Sequence, residues 1–244
     1  PVAKIMDFGK YKYEIQKKPS GIVEAFLIGE EFIQDSPVTL ILGDNLFHGN
    51  ELLGQLKYAN SQKQGATIFG YRVHNPGRYG VINFDKDGNV LEIEEKPIHP
   101  RSNYAITGLY FYDNTVVERA KKIKPSLRNE LEITDLNNNY LQTNDLKVQL
   151  FGRGMAWLDT GTFDSLHSAG SYIRTLQNRQ GMKISCPEEI AWRLKIIDDN
   201  QLKKLAEYSL ESGYGEYLLK ILQESESEHS QLERNLNNKQ IDFY

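Results

Sequence analysis

Cysteine is nearly absent from this chain: Cys186 is the only one in 244 residues. One thiol excludes an internal disulfide framework and points to a reducing compartment. Histidine is scarce as well, and the five present show no metal-ligand spacing. Zinc chemistry is therefore not expected, and Cys186 has no partner that would make it a nucleophile. No apolar run approaches the roughly 18 residues that a membrane span needs, and no signal-peptide pattern opens the chain. A strong excess of one charge is missing too. Lys and Arg number 29 against 33 Asp and Glu, a net charge of -4, which leaves no electrostatic footprint for nucleic acid. These absences lead us to expect a cytoplasmic protein with neither nucleic acid nor membrane as partner. Gly-x-Ser-x-Gly, the Walker A loop and the dinucleotide Gly-x-Gly-x-x-Gly are also lacking.

What is present centres on Val38 to Gly49, VTLILGDNLFHG. Val38 to Leu42 is a short β-branched run of the kind buried on both faces, and it leads into Gly43-Asp44-Asn45. A carboxylate at a strand's C-terminal end suits ligand or cation binding, although Gly, Asp and Asn also make ordinary turns. Before it, Lys12 to Gln16 alternates like a strand, Lys17 to Gly21 reads as a turn, and Ile22 to Ile28 as a helix. After it come an amphipathic helix over Glu51 to Gln62, with Leu52, Leu53, Leu56 and Tyr58 to pack, and a strand from Ala66 to Val73. That succession predicts a parallel βαβ unit. Strands from Tyr79 to Phe84, Val90 to Glu95 and Tyr104 to Tyr112 predict an antiparallel insertion able to wall a pocket.

Helices are expected at Thr115 to Lys122 and at Leu131 to Leu141, the second with Thr134 inside it. Strands follow at Leu146 to Leu150 and Met155 to Leu158, and a helix at Phe163 to Arg179. From Pro187 the pattern is wholly helical, and the end beyond Glu224 is polar with an ESESE run. The fold class expected is α/β, a Rossmann-like mixed sheet with a C-terminal helical region. The divisions expected are an α/β domain over 1–184, helices over 185–223 and a polar tail over 224–244.

Asp44 and Asp159 each follow a short apolar strand. If those strands share a sheet edge, the two carboxylates converge on one divalent cation, and Mg²⁺ suits such a site. Read otherwise, they are unrelated turn aspartates. Glu95 and Lys96, adjacent on a strand, point to opposite faces. Lys96 offers a point charge for phosphate and Glu95 an acceptor for sugar hydroxyls, unless the pair is a solvated strand end. Tyr110 and Tyr112 share a face, as core or as pocket wall. Gln16 and Gly21 at a helix start make a small-molecule rim or an ordinary connection.

LGDN at 42–45, IEEKP at 93–97, NYAITGLYFYD at 103–113, ELEIT at 130–134 and GRGMAWLDTGT at 152–162 occur in that order. With them the chain resembles the bacterial glucose-1-phosphate thymidylyltransferases over Gln16 to Leu222. The resemblance implies that a sugar 1-phosphate attacks the α-phosphate of dTTP and releases pyrophosphate, with Asp44 and Asp159 holding Mg²⁺. Gln16, Pro19 and Gly21 would read the thymine, Lys96 would contact the sugar phosphate, and Tyr79, Gly80, Glu95, Ile106 and Tyr110 would line the glucosyl pocket. It implies a homotetramer with a regulatory nucleotide site, for which the matching pieces are His48, Gly49, Glu189, Ile190 and Arg193. The family's opening strand and Gly-rich loop, G-G-x-G-T-R-L-x-P, have no match here. The resemblance begins on the order of 60 residues into the family pattern, about two βα units. Together with Pro rather than Met at position 1, this leads us to expect an N-terminally truncated form that folds poorly alone or binds dTTP badly. It is either a piece of an active enzyme or a non-catalytic binding relative.

Overall fold

The computed structural model describes residues 12–225, which divide into two compact units, residues 12–169 and residues from 170 onward. The first unit is an α/β sheet structure. Its order runs α1 (Glu24–Ile28), α2 (Glu30–Ile33), β1 (Val38–Ile41), β2 (Asn45–His48), α3 (Leu52–Ser61), β3 (Ala66–Arg72), β4 (Gly80–Phe84) and β5 (Val90–Glu95). It continues with β6 (Tyr104–Tyr112), α4 (Val116–Ala120), α5 (Ile133–Gln142), β7 (Leu146–Leu150), β8 (Ala156–Asp159) and the start of α6 (Phe163–Gln180).

The main sheet is mixed, in the order β5-β4-β6-β3-β7, with β1 beside the C-terminal half of β6. Among the described residues only β3 and β7 pair in parallel; the other ladders are antiparallel. β3 reads ATIFGYR and its first five residues are buried, because both faces of the sheet are covered at this point. On one face Ile68, Ile82, Tyr110 and Tyr112 meet Phe26 of α1, Val116 and Val117 of α4, and Leu136 and Tyr140 of α5. On the other, Phe69 stacks on Phe151 at 5.0 Å, with Leu109, Met155 and Ala59 of α3 around them. β2 and β8 form a separate antiparallel ribbon, with Asn45 opposite Asp159.

Several expectations need correction. Lys12 to Gln16 is no strand among the described residues, and Tyr13 and Ile15 are exposed. The run Val38 to Leu42 is not buried on both faces: β1 alternates, and Ile41 is 61% exposed, because among the described residues only β6 pairs with it. The βαβ reading of β1, α3 and β3 has the directions right and the neighbours wrong. Both strands run antiparallel to β6 and flank its two edges, so β6 lies between them. Asn45, weighed as a turn residue with Gly43 and Asp44, opens the strand β2. In α3, Leu52 and Leu56 pack as expected, together with Ala59, while Leu53 and Tyr58 are exposed.

In the second unit, α7 (Pro187–Arg193), α8 (Asp199–Glu207) and a helix over residues 214–225 enclose Cys186, Trp192, Leu202, Leu218 and Ile221. α8 starts at a capping box, in which Asp198 accepts from Gln201 N and Gln201 accepts from Asp198 N.

Candidate active site

The first unit holds a cleft of about 190 Å³ whose walls come from seven segments of the chain. Asp44, Tyr79, Gly80, Glu95, Lys96, Ile106, Tyr110 and Asp159 all line it. The structure thus brings together eight residues singled out by sequence, and it does so through the β2–β8 ribbon rather than through a shared edge of the main sheet. Asp44 ends the turn between β1 and β2, and the backbone carbonyl of Asp44 accepts from Thr160 N at 2.8 Å and Thr160 Oγ1 at 2.9 Å. A Cβ built on Gly161 would lie 3.1 Å from Asp159 Oδ1 and 3.5 Å from Asp44 Oδ2, so the two carboxylates face one small space.

Asn45, which sequence reasoning left as a turn residue, ties this corner together. Its Oδ1 accepts from Trp157 Nε1 at 2.6 Å and from Gly108 N at 2.9 Å, while its Nδ2 donates to Asp44 Oδ1 at 2.8 Å. Ribbon, sheet and carboxylate are therefore fixed by one amide. Trp157 also sits 5.1 Å from the ring of Tyr79, whose phenol is pushed up from its usual range by burial and by the charge of Asp159.

Another part of the lining is acidic and basic at once. Sequence alternation placed Glu95 and Lys96 on opposite faces, but both line the cleft and lie 3.8 Å apart. The cause is local: β5 ends at Glu95, and Lys96 takes a φ of 42°, a left-handed conformation that breaks the alternation. Thr134, in the first turn of α5, donates to Glu95 Oε2 at 2.5 Å, and Arg128 Nη2 donates to Glu95 Oε1 at 3.1 Å. Thr134 approaches over Gly80, where a Cβ would come within 3.0 Å of its hydroxyl oxygen. Arg128 and Thr134 were missed because ELEIT and the residues just before it mark a helix start and say nothing of what their side chains reach. Tyr110 is both core and wall: it is buried, stacks on Tyr112 at 6.2 Å, and burial together with the charge of Glu95 holds its phenol neutral far above its usual range.

The other singled-out residues lie elsewhere. Gln16 donates to Gly21 O at 3.0 Å and Glu24 Oε2 at 2.6 Å and borders a separate hollow of about 270 Å³ with Glu31 and Phe32. Pro19 is in the turn before Gly21. At Gly21, φ is +101° and a Cβ would sit 2.4 Å from Leu131 O, so glycine is required there for the chain to pass over Leu131. His48 closes β2 opposite Ala156, and Gly49 lies against Met155. In the second unit Glu189 is buried, accepting from Arg193 Nε at 2.7 Å and from the Tyr217 hydroxyl, while Ile190 and Arg193 are exposed.

Among the described residues no three His, Cys, Asp or Glu side chains cluster as a closed metal site. Two converging carboxylates with room beside them are the donor set that Mg²⁺ uses when phosphate oxygens and water complete its shell. Asp44 and Asp159 fit that group. No helix is long and apolar enough to cross a membrane among the described residues.

The comparisons with known proteins point the same way. The nucleotidyl transferase family model matches residues 2–175. The chain is 52% identical over 217 residues to the glucose-1-phosphate thymidylyltransferase of Neisseria meningitidis, covering 88% of this chain and 75% of that protein. Against the enzyme of the same name from Mycobacterium tuberculosis it is 51% identical over 211 residues, 86% of this chain and 73% of the other. A solved structure from Bacillus anthracis, described as a glucose-1-phosphate thymidylyltransferase in complex with a sucrose, aligns with a TM-score of 0.61 and 37% identity over 72% of this chain and 68% of that one. A UDP-glucose pyrophosphorylase with UDP-glucose shares the fold, at a TM-score of 0.56 and 24% identity over 67% and 66%. This chain belongs to the nucleotidyl transferase family, among the glucose-1-phosphate thymidylyltransferases.

Proposed function

We propose that this cleft joins dTTP to glucose 1-phosphate, giving dTDP-glucose and pyrophosphate. The observation that carries the reading is that Asp44, Asp159, Glu95 and Lys96 all line one cleft. A phosphate oxygen of the sugar phosphate bonds to the α-phosphorus, the bond from that phosphorus to the bridging oxygen breaks, and pyrophosphate leaves with the electron pair. The second pKa of a sugar phosphate is about 6, so the nucleophile is ionised at neutral pH and no general base is required. What the chain has to supply is orientation and charge neutralisation.

Lys96 brings an ammonium to the sugar phosphate. Glu95, braced by Thr134 and Arg128, accepts from glucosyl hydroxyls, and Tyr79, Gly80, Ile106 and Tyr110 shape the pocket around the ring. Asp44 and Asp159 would hold Mg²⁺, which supplies charge neutralisation for the triphosphate when bound. Thymine recognition by Gln16, Pro19 and Gly21 belongs to the same proposal, as do a homotetramer, a cytoplasmic location and effector binding that involves His48, Gly49, Glu189, Ile190 and Arg193. The inward anchoring of Glu189 favours Ile190 and Arg193 as the ligand-facing members of that set.

The test is pyrophosphate release from dTTP, glucose 1-phosphate and Mg²⁺. We expect release that falls by about 10³-fold in Asp159→Ala, the scale of losing a preorganised charge site. Binding of glucose 1-phosphate without any release from the wild type would instead support the non-catalytic reading.

A further inference from the structure

We propose that Asn138 is a positioning residue for the sugar-phosphate wall of the cleft and acts through the backbone of Ile93. β5 is the end strand of the main sheet, so among the described residues its outer edge has no neighbouring strand. At Ile93 that edge is taken by a side chain. Asn138 Oδ1 accepts from Ile93 N at 3.1 Å, and Asn138 Nδ2 donates to Ile93 O at 2.8 Å. One planar amide thus reproduces both bonds that a paired strand would make, which fixes the backbone of Ile93 against α5.

Glu95 lies two residues further along the same strand. Thr134, which holds Glu95 Oε2, lies four residues before Asn138 and so on the same side of α5. The helix therefore grips the strand twice, once at the backbone of Ile93 and once at the carboxylate of Glu95. The apolar contacts of Leu136 and Tyr140 press α5 onto the sheet, but such contacts are non-directional and leave sliding along β5 open. The paired bonds of Asn138 are directional and set the register. Lys96 follows at once in a left-handed conformation, so a shift of the strand end displaces carboxylate and ammonium together. Asn138 is not among the residues that line the cleft: the Ile93 bonds place it on the edge of β5 opposite β4.

The inference rests on the thymidylyltransferase reading of the cleft. Its test compares Asn138→Leu, which loses both bonds at similar size, with Asn138→Asp, which keeps the acceptor for Ile93 N. We expect amide exchange at Glu95 and Lys96 to quicken about tenfold in Asn138→Leu while amides of β3 and β6 hold their rates. We expect its KM for glucose 1-phosphate to rise about tenfold with KM for dTTP within about twofold, and Asn138→Asp to fall between it and the wild type. Unchanged exchange at Glu95 and Lys96 overturns the proposal whatever the activity. Faster exchange with both KM values unmoved, or moved equally, overturns it too, since the clamp would then be structural only. If the wild type releases no pyrophosphate, the substrate reading has failed separately, and the exchange rates still decide whether Asn138 sets the strand end. Should Asn138→Leu fail to fold, Asn138→Asp carries the same comparison.

Discussion

Lys96 shows how a single backbone angle rearranges a site. With φ at 42° it turns back into the cleft beside Glu95, a conformation that costs a non-glycine residue about 1–3 kcal/mol and persists where its surroundings fix it. Backbone bonding does so here, since Lys96 N donates to Tyr79 O at 3.0 Å. Lys96→Ala is expected to raise KM for glucose 1-phosphate by about tenfold to a hundredfold at little cost in stability, read by steady-state kinetics and thermal melting. Gly21→Ala is expected to do the reverse. Its Cβ would enter the backbone of Leu131, so we expect a loss of about 1–3 kcal/mol in denaturant unfolding. Asp44, Glu95 and Asp159 were legible in the sequence because carboxylates at strand ends carry chemistry of their own. Asn45, Arg128 and Thr134 were not, since an amide in a turn or a hydroxyl in a helix acquires meaning only from its partner. For Asn45 and Trp157 that partner is 112 positions away.

At the scale of elements, the strands of the antiparallel insertion were plain from alternation and turn chemistry, and β7 falls where sequence put it. The β2–β8 ribbon was not, because four residues reading NLFH lack a period, and its partner strand is remote in sequence. The pairing of β1 and β3 with β6 was equally hidden: local pattern gives a strand's existence and leaves its neighbours to be settled by long-range packing. The β6–α4 junction offers a test of stability. Burial alone would raise the pKa of Asp113, but donation from Thr115, Gly65 N and Tyr140 outweighs it and holds the carboxyl below its usual 3.8. A lowered folded pKa contributes stability that is present above the unfolded value and lost as pH falls through the folded one. Asp113→Asn is therefore expected to cost about 1–3 kcal/mol at pH 7. The gap to wild type should close as unfolding curves are taken below pH 4.

At the scale of the molecule, the α/β class, the mixed sheet and the helical character of the C-terminal region were all legible, because hydrophobic period and turn residues agree along most of the chain. Inside the helical unit, the burial of Glu189 against Tyr217 and Arg193 was not, since Glu in the first turn of a helix normally reads as solvated. Tyr217→Phe removes one of its donors, and we expect about 1–3 kcal/mol of destabilisation, measured by chemical unfolding. Light scattering tests the proposed assembly: a homotetramer gives four times the 28.0 kDa of one chain, and a mass of one chain contradicts it.

The measurement that bears most directly on the whole account is pyrophosphate release with dTTP and glucose 1-phosphate, with and without Mg²⁺, in wild type and Asp159→Ala. The account predicts release that needs the metal and both substrates and that nearly vanishes in the variant. Release undiminished in Asp159→Ala, or none from the wild type at saturating substrates, would contradict it.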